Sequence, residues 1–303
     1  MTGWTTDEMP DCTGKTVVVT GANSGLGLEA TRAFARKNAH VVLACRDLDR
    51  GGEAASDVRG DVPDASLSVR KLDLASLDSI REFAATADEE LGAIDVLCNN
   101  AGMMAIPRGE TAEGFERQFG INHLGHFALT VLLLDALRAA ENPRVVTQSS
   151  GIHARGEIDF DDLHGEKSYD KWDAYAQSKL ANVLFAYELD RRHGDDLTSV
   201  ACHPGYAATN LQYRGPEAEG SRAKRALMGV FNRLFAQSAE KGALPMLYAA
   251  TAEDIDGGEY VGPAGLFNMR GAPEEQRSSG RSYDEETAAR LWDVSEGLTD
   301  VEY

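Results

Sequence analysis

Two groups of residues have the types and spacing to do chemistry. Tyr175-Ala176-Gln177-Ser178-Lys179 sets a phenol and an ammonium four positions apart, which on a helix is one face. A cation beside a phenol favours the phenolate and lowers its pKa from about 10 toward working pH, as a proton donor or acceptor at an alcohol or carbonyl requires. So short a pattern also fits a structural Tyr with a surface Lys. The second group is Thr20-Gly21-Ala22-Asn23-Ser24-Gly25-Leu26-Gly27. Glycines permit positive φ and close backbone approach to a ligand, and the free N–H groups of a following helix attract a pyrophosphate. Gly25 to Ala30 spell G-x-G-x-x-A, within the tolerance of a dinucleotide fingerprint.

These groups need a scaffold, and the chain supplies one. From Lys15 onward, short β-branched runs alternate with longer stretches of helical periodicity, the pattern of β-α-β units that build a parallel sheet. The expected strands are Thr16 to Thr20, His40 to Ala44, Leu67 to Leu72, Ile94 to Cys98, Arg144 to Ser149, Leu197 to Cys202 and a short one at Tyr260-Val261. Val17-Val18-Val19 and Val41-Val42-Leu43 are continuous apolar runs, as strands buried on both faces require. Leu26 to Lys37, Ser76 to Leu91, Phe115 to Ala140 and Ala174 to Arg192 read as helices, with further helices at Ser238 to Ala250 and near Glu285 to Ser295. The fold class is α/β: a doubly wound parallel sheet in a Rossmann-type three-layer αβα sandwich. It is taken as one domain over 1–303, with an N-terminal extension (1–14), a variable segment (211–236) and an acidic C-terminal extension (262–303).

The glycine loop and the Tyr/Lys pair are joined by Asp73-Leu74, Asn99-Asn100-Ala101-Gly102, Asn122, Ser150 and His203-Pro204-Gly205 with Thr209. With these residues in this order, residues 15 to 210 resemble the short-chain dehydrogenase/reductase superfamily. The resemblance implies a nicotinamide-dependent oxidoreductase. In it, Tyr175 is the general acid/base, Lys179 tunes Tyr175 and binds the nicotinamide ribose, Ser150 binds the substrate oxygen, and Asn122 holds a relay water. It further assigns Gly21, Asn23, Ser24, Gly25, Leu26 and Gly27 to the pyrophosphate, Asp73 and Leu74 to the adenine edge, and Asn100, Ala101 and Gly102 to the adenosine pocket. Pro204, Gly205 and Thr209 would lie at the nicotinamide, and 211–236 would form a substrate lid. Ser149 is the rival to Ser150. Ser150 and Tyr175 stand 25 positions apart, about twice the common gap of the superfamily. That gap and the run YAQSKLANVLF from Tyr175 to Phe185 look like the retinol dehydrogenase-like branch. Retinoid specificity is not carried over, because the N-terminus lacks an apolar anchor.

The end of the second strand should carry the group that reads the adenosine ribose, and it reads Cys45-Arg46-Asp47. Arg46 suits the 2′-phosphate of NADP and Asp47 the ribose hydroxyls of NAD, so NADP is expected and NAD stays open. With 30 Lys plus Arg against 49 Asp plus Glu, the chain carries a formal charge of −19, which opposes binding to nucleic acid phosphates. Arg outnumbers Lys 22 to 8, which fits either a surface adapted to high salt or an acidic cytosolic protein. Cys12, Cys45, Cys98 and Cys202 form no C-x-x-C pair and suit a reducing compartment. Cys98 and Cys202 read as buried structural thiols. The seven histidines lack metal-ligand spacing, and His123 and His126 are read as packing or surface residues. No stretch is long and apolar enough to span a membrane. The expectation is a soluble cytoplasmic enzyme that takes a small, apolar alcohol or carbonyl and makes homo-oligomer contacts through the helices at Ala174 to Arg192 and Ser238 to Ala250. A non-catalytic dinucleotide sensor and a C=C reductase are the alternatives.

Overall fold

A computed structural model describes residues 3–205, 238–265 and 268–302. Eight strands form one sheet in the order β3-β2-β1-β4-β5-β6-β7-β8. They are β1 (Thr16–Thr20), β2 (His40–Cys45), β3 (Leu67–Lys71), β4 (Val96–Asn99), β5 (Arg144–Gln148), β6 (Thr198–Cys202), β7 (Tyr260–Pro263) and β8 (Pro273–Gln276). β1 to β7 pair in parallel and β8 joins antiparallel to β7. Helices are α1 (Gly25–Arg36), α2 (Leu48–Asp61), α3 (Leu77–Leu91), α4 (Arg117–Phe119), α5 (Gly125–Leu132), α6 (Leu134–Arg138), α7 (Lys171–His193), α8 (Ala239–Thr251) and α9 (Glu285–Thr299). Strand order reverses between β1 and β4, so a crevice opens at their carboxyl ends, where doubly wound sheets take ligands.

Alternate residues of the central strands feed two cores. Val18, Val42, Leu97 and Val145 pack with α3, α5, α7 and α9, whereas Val17, Val19, Val41 and Val146 pack with α1, α2 and α8. Three local features depart from the sequence expectation. The expected helix from Phe115 to Ala140 is broken by a π turn at Gly120–Leu124 and again at Leu133. Close packing explains the first break. A Cβ on Gly125 would stand 2.7 Å from the Leu74 carbonyl oxygen and one on Gly120 2.6 Å from Thr111 Cγ2, so the backbone there lies against its neighbours. Helix α2 was not expected, since Gly51, Gly52 and Gly60 dilute its helical signal. Gly51 is required all the same, because a Cβ there would meet Val69 Cγ1 at 2.5 Å. Strand β8 reads PEEQ, and its charged, Pro-initiated sequence belongs to an edge strand.

The acidic C-terminal residues are built into the core. α9 lays Trp292 edge-on to Phe127 at 5.0 Å and stacked on Phe185 at 5.9 Å, with the Arg192 guanidinium 4.7 Å from its ring. Every residue of α7 from Tyr175 to Leu189 is buried within this chain. That stretch of α7 therefore packs against its own chain. At the other end of the chain, Met9 and Cys12 of the N-terminal segment are buried as well. The putting of Trp292 between α5 and α7 predicts that Trp292→Ala costs about 3–5 kcal/mol, read as a lower denaturation midpoint; a loss under about 1 kcal/mol would show that α9 is only loosely applied.

Candidate active site

The first strand ends in a hydroxyl that gathers three loops. Thr20 Oγ accepts the backbone N–H groups of Asn100 and Ala101, each at 2.9 Å. Asn100 Nδ2 donates to the Thr20 carbonyl at 2.7 Å. His126 Nδ1 lies 3.1 Å from the carbonyl oxygen of Asn122, which only accepts, so Nδ1 carries the proton. Its bare Nε2 then takes the Thr20 hydroxyl proton at 2.9 Å. Burial lowers the His126 pKa to about 4, so the ring stays neutral and this tautomer holds. The glycine loop, the Asn-Asn-Ala-Gly turn and the π turn are locked together through these bonds.

Beside them lies a cleft of about 450 Å³, lined by Gly21, Asn23, Ser24, Gly25 and Leu26, by Arg46, Asp47 and Arg50, and by Asp73, Leu74, Asn100, Ala101 and Gly102. Gly21 and Gly25 hold φ of 66° and 57°, the left-handed region that glycine adopts without strain. Ser24 caps α1 without a side-chain hydrogen bond. Among the described residues, the other helices of twelve or more residues all receive one, from Asp47, Ser76, Asp170, Ser238 and Asp284. The first N–H groups of α1 thus face the cleft uncapped by a side chain, the arrangement that suits a phosphate. The residues fit a dinucleotide. Gly27 is off the cleft wall: a Cβ there would sit 2.6 Å from both Asn100 Nδ2 and the Gly21 oxygen, so it serves loop packing.

Arg46 and Asp47 differ in what they have free. Both line the cleft, but the Asp47 carboxylate also accepts the N–H of Arg50 and caps α2. Arg50 was not singled out from the sequence. Its signal is helical, since it opens α2 one turn beyond Arg46, and that helix was itself missed.

Where Gly102 leaves the cleft the residues expected to handle the proton begin. A Cβ on Gly102 would be 3.1 Å from Asn122 Oδ1 and 3.6 Å from Lys179 Nζ. The Ser150 side chain stands near enough to the Tyr175 hydroxyl to pull its pKa down, and the Tyr175 ring lies 6.0 Å from Lys179 Nζ. Ser149 Oγ instead donates to the Lys179 carbonyl at 2.7 Å and is buried, which leaves Ser150 as the serine at the phenol. Asn122 is committed at both ends of its side chain, accepting from Met103 N at 2.8 Å and donating to Met103 O and Ser178 Oγ. Pro204 and Gly205 follow β6, where Gly205 N–H donates to His203 Nδ1 at 3.2 Å. Thr209 and the expected lid at 211–236 lie outside the described residues.

One expectation is corrected. Lys179 does not by itself bring the phenol toward neutral pH: burial pushes Tyr175 up to about 12, with Ser150 pulling the other way. Lys179 Nζ donates to the Gln148 carbonyl at 2.9 Å, and burial lowers its own pKa from 10.5 to about 8. Cys98 and Cys202 are buried and their thiols raised by desolvation, Cys98 to about 12. His123 packs among Phe119, Phe127 and Phe185 with a bond to Ser295 Oγ. Among the described residues, no group of three or more His, Cys, Asp or Glu is placed to hold a metal ion, and no helix is long and apolar enough to cross a membrane.

Residues 15–219 match the short chain dehydrogenase family. The chain belongs to that family. It is 45% identical to human retinol dehydrogenase 13 over 293 residues, covering 95% of this chain and 86% of that protein. Mouse retinol dehydrogenase 14 is 40% identical over 301 residues, covering 95% and 86%. A crystal structure of an uncharacterised protein from Mycobacterium paratuberculosis, 42% identical, superposes with a TM-score of 0.82 over 100% of this chain and 99% of that one. A short chain dehydrogenase from Shigella flexneri complexed with NADP, 21% identical, shares the fold at a TM-score of 0.64 over 84% and 98%. This member of the family is an oxidoreductase acting on CH–OH groups.

The Lys179 shift fixes a sign. Its pKa is depressed in the folded state, so between about 8 and 10.5 the unfolded chain binds more protons at this site and stability rises with pH. Relative to Lys179→Met, the unliganded wild type should gain stability as pH climbs from 7.5 to 10 in denaturant titrations. A constant difference between the two proteins would refute the shift.

Proposed function

We propose that the protein is an NADP(H)-dependent reductase and dehydrogenase that interconverts an apolar alcohol and its ketone or aldehyde, with Tyr175 as general acid/base. The observation that carries this reading is the gathering of Tyr175, the buried ammonium of Lys179 and Ser150 one glycine away from the cleft. When bound, the nicotinamide supplies or accepts the hydride. The chain's own residues handle the proton. With its pKa raised to about 12, Tyr175 is protonated at neutral pH and is charged for carbonyl reduction as a proton donor. Ser150 offers a hydroxyl to the same oxygen, the second donor that an oxyanion-like transition state needs. Lys179 favours the phenolate left after transfer by its positive charge. The Asn122 side chain is occupied with Met103 and Ser178, so a relay water would lie against its backbone carbonyl, next to His126.

NADP is favoured over NAD because two guanidinium groups, Arg46 and Arg50, line the cleft at that point against one carboxylate, Asp47, which is also engaged in capping α2. Gly21 and Asn23 to Leu26 would take the pyrophosphate, and Asp73, Leu74 and Asn100 to Gly102 the adenosine. The similarity to proteins named for retinol, an apolar alcohol, supports an apolar substrate class. Buried, unpaired Cys12, Cys45, Cys98 and Cys202 suit the reducing cytoplasm proposed as its location.

Absorbance of the reduced nicotinamide, followed across a panel of apolar aldehydes, ketones and alcohols, tests both parts. Tyr175→Phe should lower kcat by about 10²–10⁴ with cofactor affinity kept; equal turnover by wild type and variant would refute the mechanism. Arg46→Ala should weaken NADPH binding about tenfold or more beyond any effect on NADH, the scale of a lost charge-assisted hydrogen bond. Equal loss for both would remove the 2′-phosphate assignment.

A further inference from the structure

Behind the catalytic residues, the C-terminal strands reach the active site through one buried histidine. His153 follows Ser150 in the single 3-10 turn at Gly151–Arg155 and is 4% exposed. Its Nε2 receives the backbone N–H of Ser279 at 3.0 Å. An N–H only donates, so Nε2 is bare and the proton of the neutral ring sits on Nδ1. Burial lowers the His153 pKa and keeps the ring neutral. Nδ1–H lies 2.8 Å from the Ser150 carbonyl and 3.2 Å from Tyr260 Oη, and the His153 backbone N–H holds the same Ser150 carbonyl at 3.0 Å. Ser149, near the Tyr260 hydroxyl, gives its own proton to the Lys179 carbonyl. The proton directions run one way, from the Ser279 N–H to His153 Nε2 and from His153 Nδ1–H to the Ser150 carbonyl.

Resting on the reading of Ser150 and Tyr175 given above, we infer that His153 is a positioning residue for the reaction. It fixes the Ser150 backbone so that the Ser150 hydroxyl faces the Tyr175 oxygen. The chain segment at Ser278-Ser279, far in sequence from every catalytic residue, thereby sets the geometry of the proton-handling group. Neighbouring packing supports a rigid frame: the His153 ring stands edge-on to Tyr260 at 5.0 Å, and His203 stacks on Tyr260 at 5.3 Å and bonds Gln276 of β8.

The test compares His153→Phe, His153→Asn and Ser279→Pro with wild type and Tyr175→Phe, measuring kcat, KM, NADPH affinity by fluorescence titration and melting temperature. Phe fills the space but has no donor, whereas the Asn amide can place an N–H near the former Nδ1. Ser279 has φ of −66°, which proline adopts, so Ser279→Pro removes the one N–H that fixes the tautomer. His153→Phe should lower kcat at least about tenfold, as small misplacements of a reacting group do, with NADPH affinity within about twofold of wild type, and His153→Asn should restore most of the rate. Ser279→Pro should lower kcat without changing NADPH affinity, which keeps the inference testable if His153→Phe folds poorly. Full kcat in His153→Phe, or losses in all three variants that follow their melting temperatures alone with no rescue by Asn, would overturn it. If Tyr175→Phe is itself fully active, it is the proposed function that fails, not this inference alone.

Discussion

A backbone group brought to the buried end of a parallel strand is costly to leave without a partner, since an unpaired buried donor or acceptor costs about 1–3 kcal/mol. That constraint bears directly on the turns after β1, β4 and β5. Thr20 Oγ meets it for the turn after β4 by taking two backbone N–H groups and giving its proton to His126. Gln148 O meets it at the end of β5 by accepting both Lys179 and Asn182. Each solution also fixes a loop, so the ligand cleft and the proton-handling residues are held by bonds the fold would need anyway.

The same economy explains the backbone irregularities. The π turn at Gly120–Leu124 interrupts what would otherwise be a continuous helix, and that interruption turns the Asn122 side chain onto Met103 and its carbonyl onto His126. Glycine serves three separate needs here: positive φ at Gly21 and Gly25, loop-to-loop approach at Gly27, and helix-to-sheet approach at Gly51.

The electrostatics follow from burial. Tyr175 is raised from 10.0 to about 12 and Lys179 lowered from 10.5 to about 8 by desolvation, so each is pushed toward its neutral form and the two proton affinities, nearly equal in the free side chains, are driven apart. A charge of −19 over the whole chain would repel a dinucleotide, yet the cleft sets Arg46, Arg50 and the start of α1 against that field. Local geometry, at distances shorter than the screening length, outweighs the distant carboxylates.

The sequence by itself determined most of the elements and the family. β-branched runs and helical periods are local signals, and the glycine loop, the Asn-Asn-Ala-Gly turn and the Tyr/Lys spacing are residue types at fixed distances along the chain, so the strands β1 to β7 and the candidate site residues could be named in advance. What it could not determine were matters of contact between distant segments. The choice of Ser150 over Ser149 depends on a bond to the Lys179 carbonyl, and Arg50 reaches the cleft only because Gly51 lets α2 lie against β3. β8 and α9 were illegible as core because their charged residues face outward while Pro273, Leu291 and Trp292 face in. Proton affinities belonged wholly to the tertiary structure: four-residue spacing promised a phenol lowered by a cation, but burial on all sides costs a charge more than that cation returns, and only packing decides how much water remains.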